Sequence, residues 1–117
     1  MKDDCLCRLR GVMRALTAFE LQLEQQLGLN LNEAMLLCLL SHEDRLLAGE
    51  IADRLGLTRS NASKVIARLE RQQLVERHQC KDDSRCQRFS LSPAGRAMLE
   101  RLHCDELQCP DELKRII

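Results

Sequence analysis

The sequence lacks the features that indicate a membrane protein, an exported protein or a common type of enzyme. Its 117 residues contain no apolar run of about 18 residues, the length that a membrane-spanning helix requires. The opening residues, 1–4, are polar or charged apart from the initiator Met, unlike a signal peptide, so we expect a cytoplasmic protein without membrane association. The patterns G-x-S-x-G, G-x-G-x-x-G, H-E-x-x-H and the phosphate-binding P-loop are also absent. We therefore expect no enzymatic activity.

The sequence has no excess of charge of either sign, but its charges are unevenly distributed. Residues 54–101 contain eleven Lys and Arg against five Asp and Glu, a local net charge of +6. Residues 1–53 carry −4 and residues 102–117 carry −2. Because a surface that binds phosphates needs concentrated positive charge, this distribution indicates a basic patch in the second half of the chain.

A repeat of apolar residues at steps of three and four predicts one long helix over residues 5–27, ended by Gly28. A long apolar helix at the edge of a small domain is often a dimerisation element. We therefore assign residues 1–29 to an N-terminal dimerisation helix. Its apolar stripe consists of Leu6, Leu9, Met13, Leu16, Leu23 and Leu27.

Two shorter helices are predicted next. Asn32 is suited to the N-cap of a second helix over residues 33–40. A third helix, over residues 48–55, ends at Gly56. Leu47 stands at its N-cap position, where Ser or Thr is usual.

A fourth helix begins near Thr58 and continues to about Gln73. Val65, Ile66 and Leu69 have the spacing of a buried face. Two helices around a glycine turn, the second with a polar and basic front, are typical of a helix-turn-helix that binds DNA. The side chains predicted to point outward are Arg59, Ser60, Asn61, Ser63, Lys64, Arg68 and Arg71.

A charged hairpin follows the fourth helix. Residues 74–77 and 88–91 are predicted strands, with Lys81–Arg85 at the tip between them. Ser92 caps a fifth helix with Pro93 in its first turn. This order of elements predicts a mainly α fold with a small β-hairpin wing, a winged helix-turn-helix preceded by the long dimerisation helix. We assign residues 30–102 to the winged-helix DNA-binding domain and residues 103–117 to a short C-terminal dimerisation segment.

Over roughly residues 30–102 the sequence resembles the MarR family of bacterial transcriptional regulators. The resemblance implies a homodimer that binds a pseudo-palindromic operator in double-stranded DNA, usually as a repressor. It also places the fourth helix in the major groove and the wing in the neighbouring minor groove. The segments that carry it, in chain order, are Leu55–Ser60, Arg68–Glu70, Leu74–Arg77, Asp83–Arg85 and Leu91–Gly95.

The same resemblance implies which side chains meet the DNA. Arg85 would be the wing arginine, and Asp83 would orient it; Arg68 and Arg88 complete the predicted set. The chemistry agrees, since Asn reads adenine, Arg reads guanine, and Ser or Lys holds phosphate. An arginine at a wing tip also suits the negative potential of a narrow minor groove. The residues implied at the major groove are Arg59, Ser60, Asn61, Ser63 and Lys64.

The chain differs from the usual family pattern in its C-terminal part. Only 22 residues follow Gly95, and Pro110 interrupts them, where the family usually has two longer helices. We therefore expect a reduced dimer interface that rests on the first helix and a short C-terminal piece. The sequence also has no Trp, no Tyr and two Phe, which gives poor stacking for an aromatic effector. The identity of the effector stays open.

Seven cysteines in a chain without an export signal do not indicate a disulfide framework. Those near the two ends of the chain could converge in the dimerisation region as a soft site for Zn²⁺ or another thiophilic metal. The candidates are Cys5, Cys7, Cys104 and Cys109, with His103 as a further ligand.

Cys80 and Cys86 form a second candidate thiol site. They flank the wing tip, close enough across a hairpin for a disulfide or a shared metal. Bridging them would change the geometry that presents Arg85. The alternative for all seven is that they are small apolar or surface residues in a reducing cell, and the sequence requires no cofactor.

Two functions remain open on the sequence. One is a DNA-binding transcriptional regulator modulated by thiol oxidation or a thiophilic metal. The other is a winged helix used for protein–protein contact without specific DNA binding, because a fold does not fix a function. Exposed apolar residues on the fourth helix would favour the second function, and the Arg, Asn, Ser and Lys side chains found there favour the first.

Overall fold

The computed structural model describes residues 3–82, 85–103 and 110–114. The chain divides into two compact units, one containing α1 and α6 and the other containing the elements from α2 to α5. No helix in the described ranges is both long enough and apolar enough to cross a membrane. The elements are α1 (Asp3–Leu27), α2 (Leu31–His42), β1 (Leu46–Leu47), α3 (Ala48–Leu55), α4 (Arg59–Arg71), β2 (Val75–Gln79), β3 (Gln87–Leu91), α5 (Pro93–Leu102) and α6 (Asp111–Lys114).

The first unit is dominated by α1, which confirms the long N-terminal helix. It ends at Gly28, whose φ of +68° is a conformation that glycine adopts without steric cost. The Gly28 N–H donates to the carbonyl of Glu24 (3.0 Å), and the Leu29 N–H donates to that of Leu23 (3.4 Å). These bonds satisfy carbonyls that the helix end would otherwise leave without partners.

The helix α2 of the second unit is longer than the sequence predicts. It begins at Leu31, so Asn32 lies inside the first turn and its predicted role as N-cap is wrong. The helix also continues to His42, two residues past the predicted end. The prediction depended on the apolar run over residues 35–40, and both ends of the helix lie outside that run. Local sequence patterns locate the ends of a helix only to within one or two residues.

The sheet contains a strand that sequence reasoning missed. Its order is β1-β3-β2, and both pairings are antiparallel. In β1, Leu46 pairs with Phe89 and Leu47 pairs with Arg88. A strand of two residues is too short to show alternation, which is why the pattern did not reveal it.

The β1 strand leads directly into α3 and explains how that helix begins without a polar N-cap. The Leu47 N–H donates to Oε1 of Glu50 at 2.9 Å, the reciprocal half of a capping box. Leucine has no side-chain acceptor, so the other half cannot form. Strand pairing and the Glu50 carboxylate together fix the start of α3.

The core of the second unit combines residues from three helices and the sheet. Leu36 and Leu37 of α2, Ile51 of α3 and Leu69 of α4 are all fully buried. Burial of each such side chain contributes about 1.5–3 kcal/mol. Because α4 commits one face to this core, its opposite face stays on the surface.

The start of α5 is joined to the end of α4 by a tight polar corner. The Ser92 Oγ accepts from the Gly95 N–H (2.9 Å) and donates to the carbonyl of Gln73 (2.6 Å). The Ser92 N–H donates to the carbonyl of Leu74 at 3.1 Å. A Cβ at position 95 would collide with that same Leu74 carbonyl, which is backbone and cannot move aside.

We expect Gly95→Ala to lower the free energy of unfolding by about 1–3 kcal/mol, because the added methyl group overpacks this corner. Gly11→Ala in α1 is the matched control: a Cβ there meets nothing within 4 Å, and alanine favours helix by up to about 1 kcal/mol. Urea unfolding of both variants measures the difference. Equal midpoints for Gly95→Ala and the wild type would contradict the described packing.

Candidate nucleic-acid interface

Two helices and one turn place the polar face of α4 at the surface. The turn follows α3 at Gly56, which has a φ of +67°, and the Leu57 N–H donates to the carbonyl of Ala52 (2.9 Å). Thr58 then caps α4, its Oγ1 accepting from the Asn61 N–H at 3.1 Å. The predicted start of the fourth helix is confirmed.

The two faces of α4 differ sharply in exposure. Ala62, Val65, Ile66 and Leu69 are buried, as their spacing predicts. The five residues expected at a major groove all lie on the exposed side, and no described residue takes up their side chains in a hydrogen bond or ion pair. Donors and acceptors on this surface are therefore available to an external partner. The five are Arg59, Ser60, Asn61, Ser63 and Lys64.

Arg68, also predicted to bind DNA, has a partner inside the protein. Its Nε lies 3.3 Å from Oε2 of Glu33, a carboxylate of α2 with a fully buried side chain. The Arg68 side chain is 52% exposed, so the ion pair joins the surface of α4 to the interior of the unit. A buried carboxylate needs a charged partner, so Arg68 first serves to hold α4 on α2.

Sequence reasoning missed this role of Glu33. The one available signal is a single acidic residue in the first turn of a helix with a long apolar run, a position that the helix dipole alone would explain.

The wing is fixed to α4 by Arg77 of β2. Its guanidinium forms two hydrogen bonds to Glu70 of α4, Nη2 to Oε1 at 2.8 Å and Nε to Oε2 at 3.2 Å. A third bond runs from Nη1 to Oε1 of Gln87 (2.6 Å), and the guanidinium carbon lies 5.4 Å from the centre of the Phe89 ring. The Glu70 hydrogen bonds raise the pKa of Arg77 above its usual value. These contacts therefore fix the base of the wing relative to α4.

Arg88, predicted as a DNA contact, is also engaged within the protein. Its Nη1 donates to the carbonyl of Arg45 (2.9 Å) and lies 3.5 Å from Oε1 of Glu50. The same Glu50 carboxylate holds the start of α3 through Leu47. Any contact between Arg88 and DNA would compete with these interactions.

A further ion pair fixes α3 at the end of α2. Arg54 binds both carboxylate oxygens of Glu43, with distances between 3.0 and 3.2 Å. These hydrogen bonds lower the pKa of Glu43 and raise that of Arg54. Both side chains are exposed, so the pair orients α3 more than it stabilises the fold.

At the wing tip, Arg85 is exposed and lies next to Cys86 in the chain. Cys80 and Cys86 form a disulfide with a Cα–Cα distance of 5.2 Å. Asp83, expected to orient Arg85, lies outside the described residues.

The other predicted thiol site is only partly described. Cys5 and Cys7 are exposed on α1, where side chains two residues apart lie on nearly opposite sides of the helix, about 160° apart. Cys104 and Cys109 lie outside the described residues, and His103 is the C-cap of α5. Over the described part of the chain, no three His, Cys, Asp or Glu residues lie together as a metal site.

A recognition helix with an open polar face, preceded by a helix and a glycine turn and followed by a braced hairpin, defines a winged helix-turn-helix. The model of the MarR family matches residues 27–85, just over half of the sequence, and the chain belongs to the MarR family. This confirms the resemblance and the predicted fold class, and identifies a winged-helix transcription regulator. No curated protein sequence matches the chain.

Solved structures agree with this fold. The chain is similar to a probable transcriptional regulator from Pseudomonas aeruginosa, with 26% identity over 79% of this chain and 71% of that one and a TM-score of 0.70. It shares its fold with a mutant of S. aureus MepR bound to an oligodeoxyribonucleotide (24% identity, 88% of this chain, 75% of that one, TM-score 0.69). The S. aureus MepR–DNA complex is also similar (23% identity, 81% and 78%, TM-score 0.67).

We expect Arg68→Ala to lower the free energy of unfolding by about 1–3 kcal/mol, because it removes the guanidinium that compensates the charge of the buried Glu33 carboxylate. Arg71→Ala is the matched control, since Arg71 is exposed on the same helix and, among the described residues, its side chain bonds only to the carbonyl of Ala67, at 3.5 Å. Its effect should stay within about 0.5 kcal/mol. Guanidinium unfolding of both variants measures the difference, and equal effects would show that the ion pair does not hold α4.

Proposed function

We propose that this protein is a homodimeric DNA-binding regulator that represses transcription by occupying a pseudo-palindromic operator. The observation that carries the proposal is the exposed N-terminal part of α4, where the side chains of Arg59, Ser60, Asn61, Ser63 and Lys64 have no hydrogen-bond or ion-pair partner among the described residues. The opposite face of the helix is buried in the core. The proposal describes a regulator rather than an enzyme, acting in the cytoplasm, where it meets DNA. Its effector is not identified.

In this proposal α4 enters the major groove. Asn61 and Arg59 have the hydrogen-bonding groups to read adenine and guanine edges, and they stand in the first turn, which comes closest to the bases. Ser60, Ser63 and Lys64 hold phosphates and so set the register on the duplex. Arg68 and Arg88 keep their carboxylate partners and act mainly by positioning α4 and the wing.

The wing supplies a second contact. Arg85 is exposed at the tip and carries the positive charge that a narrow minor groove attracts. Because Arg77 ties the base of the wing to α4, the two contacts keep a fixed spacing.

The proposed homodimer forms through α1. This helix carries large apolar side chains on its exposed surface: Leu6, Leu9, Met13 and Leu21 are 56%, 46%, 66% and 55% exposed. Together with Arg10, Arg14, Thr17 and Ala18 they line one continuous groove along the helix. A second copy of the same helix buries such a surface, and a twofold pair of α4 helices matches a palindromic site.

Asn61→Ala tests the base-reading role of α4. The probes are a duplex enriched from a random-sequence pool by the wild-type protein and a scrambled duplex of the same length. We expect a loss of about 1–3 kcal/mol on the enriched duplex and little change on the scrambled one, measured by fluorescence anisotropy at fixed salt.

The control is Gln72→Ala, which removes an exposed amide at the C-cap of α4, far from the first turn, and should leave both affinities unchanged. Equal losses for Asn61→Ala on the two duplexes would instead make Asn61 a phosphate contact. Failure of the reduced wild type to bind or enrich any duplex would overturn the proposed function in favour of a protein-contact module.

Met13→Glu tests the proposed dimer. A carboxylate in the centre of the apolar groove of α1 should shift the protein toward monomer in sedimentation equilibrium, because two copies of the charge would be buried together. Gln25→Glu introduces the same group at an exposed polar position of the helix and should leave the mass unchanged. An intact dimer in Met13→Glu would rule out this face as the interface.

A further inference from the structure

We infer that Cys80 and Cys86 are a reversible dithiol–disulfide pair, oxidised by hydroperoxides, and that the bridge weakens DNA binding by holding Arg85 back from the minor groove. This inference rests on the proposed DNA-binding function and adds its regulation.

The hairpin already places the two cysteines opposite each other. The ladder of β2 and β3 ends with Gln79 paired to Gln87, and Cys80 and Cys86 are the next pair in the same register. The Cys80 N–H donates to the carbonyl of Cys86 at 2.9 Å, and their Cα atoms are 5.2 Å apart. Disulfides span Cα distances of about 4.4–6.8 Å, so the bridge forms without rearrangement of the strands.

The surroundings favour redox chemistry over metal binding. Both cysteines are partly exposed, so a small oxidant reaches them. A structural zinc ion needs four ligands, and the described residues bring no third metal ligand to this pair.

The oxidation balances with a hydroperoxide as the oxidant. One thiolate attacks a peroxide oxygen, the O–O bond breaks, and a sulfenic acid forms while the other oxygen leaves as water or an alcohol after taking up a proton. The second sulfur then attacks the sulfenic sulfur, the S–S bond forms, and the hydroxyl leaves as water with the proton of that thiol. Two electrons pass from the sulfurs to the peroxide. A dithiol reductant reverses the bridge by exchange.

The bridge acts on DNA binding through Arg85. In the bridged hairpin, the exposed Arg85 lines one surface depression together with Cys86, Leu47 and Ala48, beside the start of α3. The disulfide closes residues 80–86 into a small ring and so limits how far Arg85 can extend. Reduction removes this covalent constraint and leaves the backbone hydrogen bond between Cys80 and Cys86, so that Arg85 can extend toward a minor groove.

In a reducing compartment such as the cytoplasm, a disulfide of this kind indicates regulation and not permanent stabilisation of the fold. Thiols are kept reduced where a DNA-binding regulator works, and disulfides that form there are usually transient or redox-sensing. The reduced protein is therefore the DNA-binding form, and hydroperoxide is the signal that releases it.

The test compares DNA affinity before and after oxidation, with the bridge measured separately. Full-length protein is reduced with dithiothreitol or treated with hydrogen peroxide, and the Cys80–Cys86 crosslink is quantified by peptide mass spectrometry. Affinity for the enriched duplex is measured by anisotropy. We expect oxidation to weaken wild-type binding about tenfold, the loss of roughly one good contact.

Three variants test whether the loss of DNA affinity on oxidation comes from the Cys80–Cys86 bridge and acts through Arg85. Cys80→Ser/Cys86→Ser should bind like the reduced wild type with or without peroxide. Cys5→Ser/Cys7→Ser, which removes the exposed pair on α1, should respond like the wild type. Arg85→Ala should bind weakly in both states, because the contact that the bridge controls is already gone.

The outcomes separate this inference from the function on which it rests. Failure of the reduced wild type to bind any duplex would overturn the proposed function together with this regulation. Normal binding with a complete crosslink and unchanged affinity would overturn the regulation alone. Absence of the crosslink after peroxide treatment, or equal sensitivity in Cys80→Ser/Cys86→Ser, would also overturn it.

Discussion

The exposed polar surface of the second unit depends on the way α4 is held, with one face buried and the other open. Its apolar residues pack into the core of the second unit, and the buried Glu33 carboxylate of α2 pairs with Arg68 on its outer side. Packing alone fixes which face is inside, whereas the ion pair also fixes rotation and height, since a buried charge tolerates little displacement from its partner. The exposed residues of the first turn therefore keep a defined orientation without being bonded to the protein themselves.

Three glutamates of the second unit determine which arginines are paired within the protein. Glu33, Glu70 and Glu50 each take one arginine, joining α4 to α2, the wing to α4, and β3 to α3. These three arginines hold neighbouring elements together, while Arg59 and Lys64 lie exposed on α4. Because several acidic side chains are paired with these arginines inside the unit, a chain of zero net charge can present a basic surface. For the same reason, the number of Lys and Arg residues is larger than the number available to contact DNA.

Local sequence features made α4 predictable. A Thr cap, a glycine turn and apolar residues at helical spacing act within a few positions, so the start and buried face of α4 followed from the pattern. The third strand did not, because Leu46 and Leu47 become a strand only by pairing with residues some forty positions later. The partners of Arg68 and Arg88 were missed for the same reason: ion pairs between distant segments leave no periodic signal.

The most direct test of the central claim, that two α4 helices read one operator, is a hydroxyl-radical footprint of the reduced protein on the enriched duplex. The account predicts two protected patches related by twofold symmetry, with centres about one helical turn, or a multiple of it, apart. It also predicts protection of the minor groove beside each patch, where the wings lie. A single patch, or uniform weak protection along the duplex, would contradict the account.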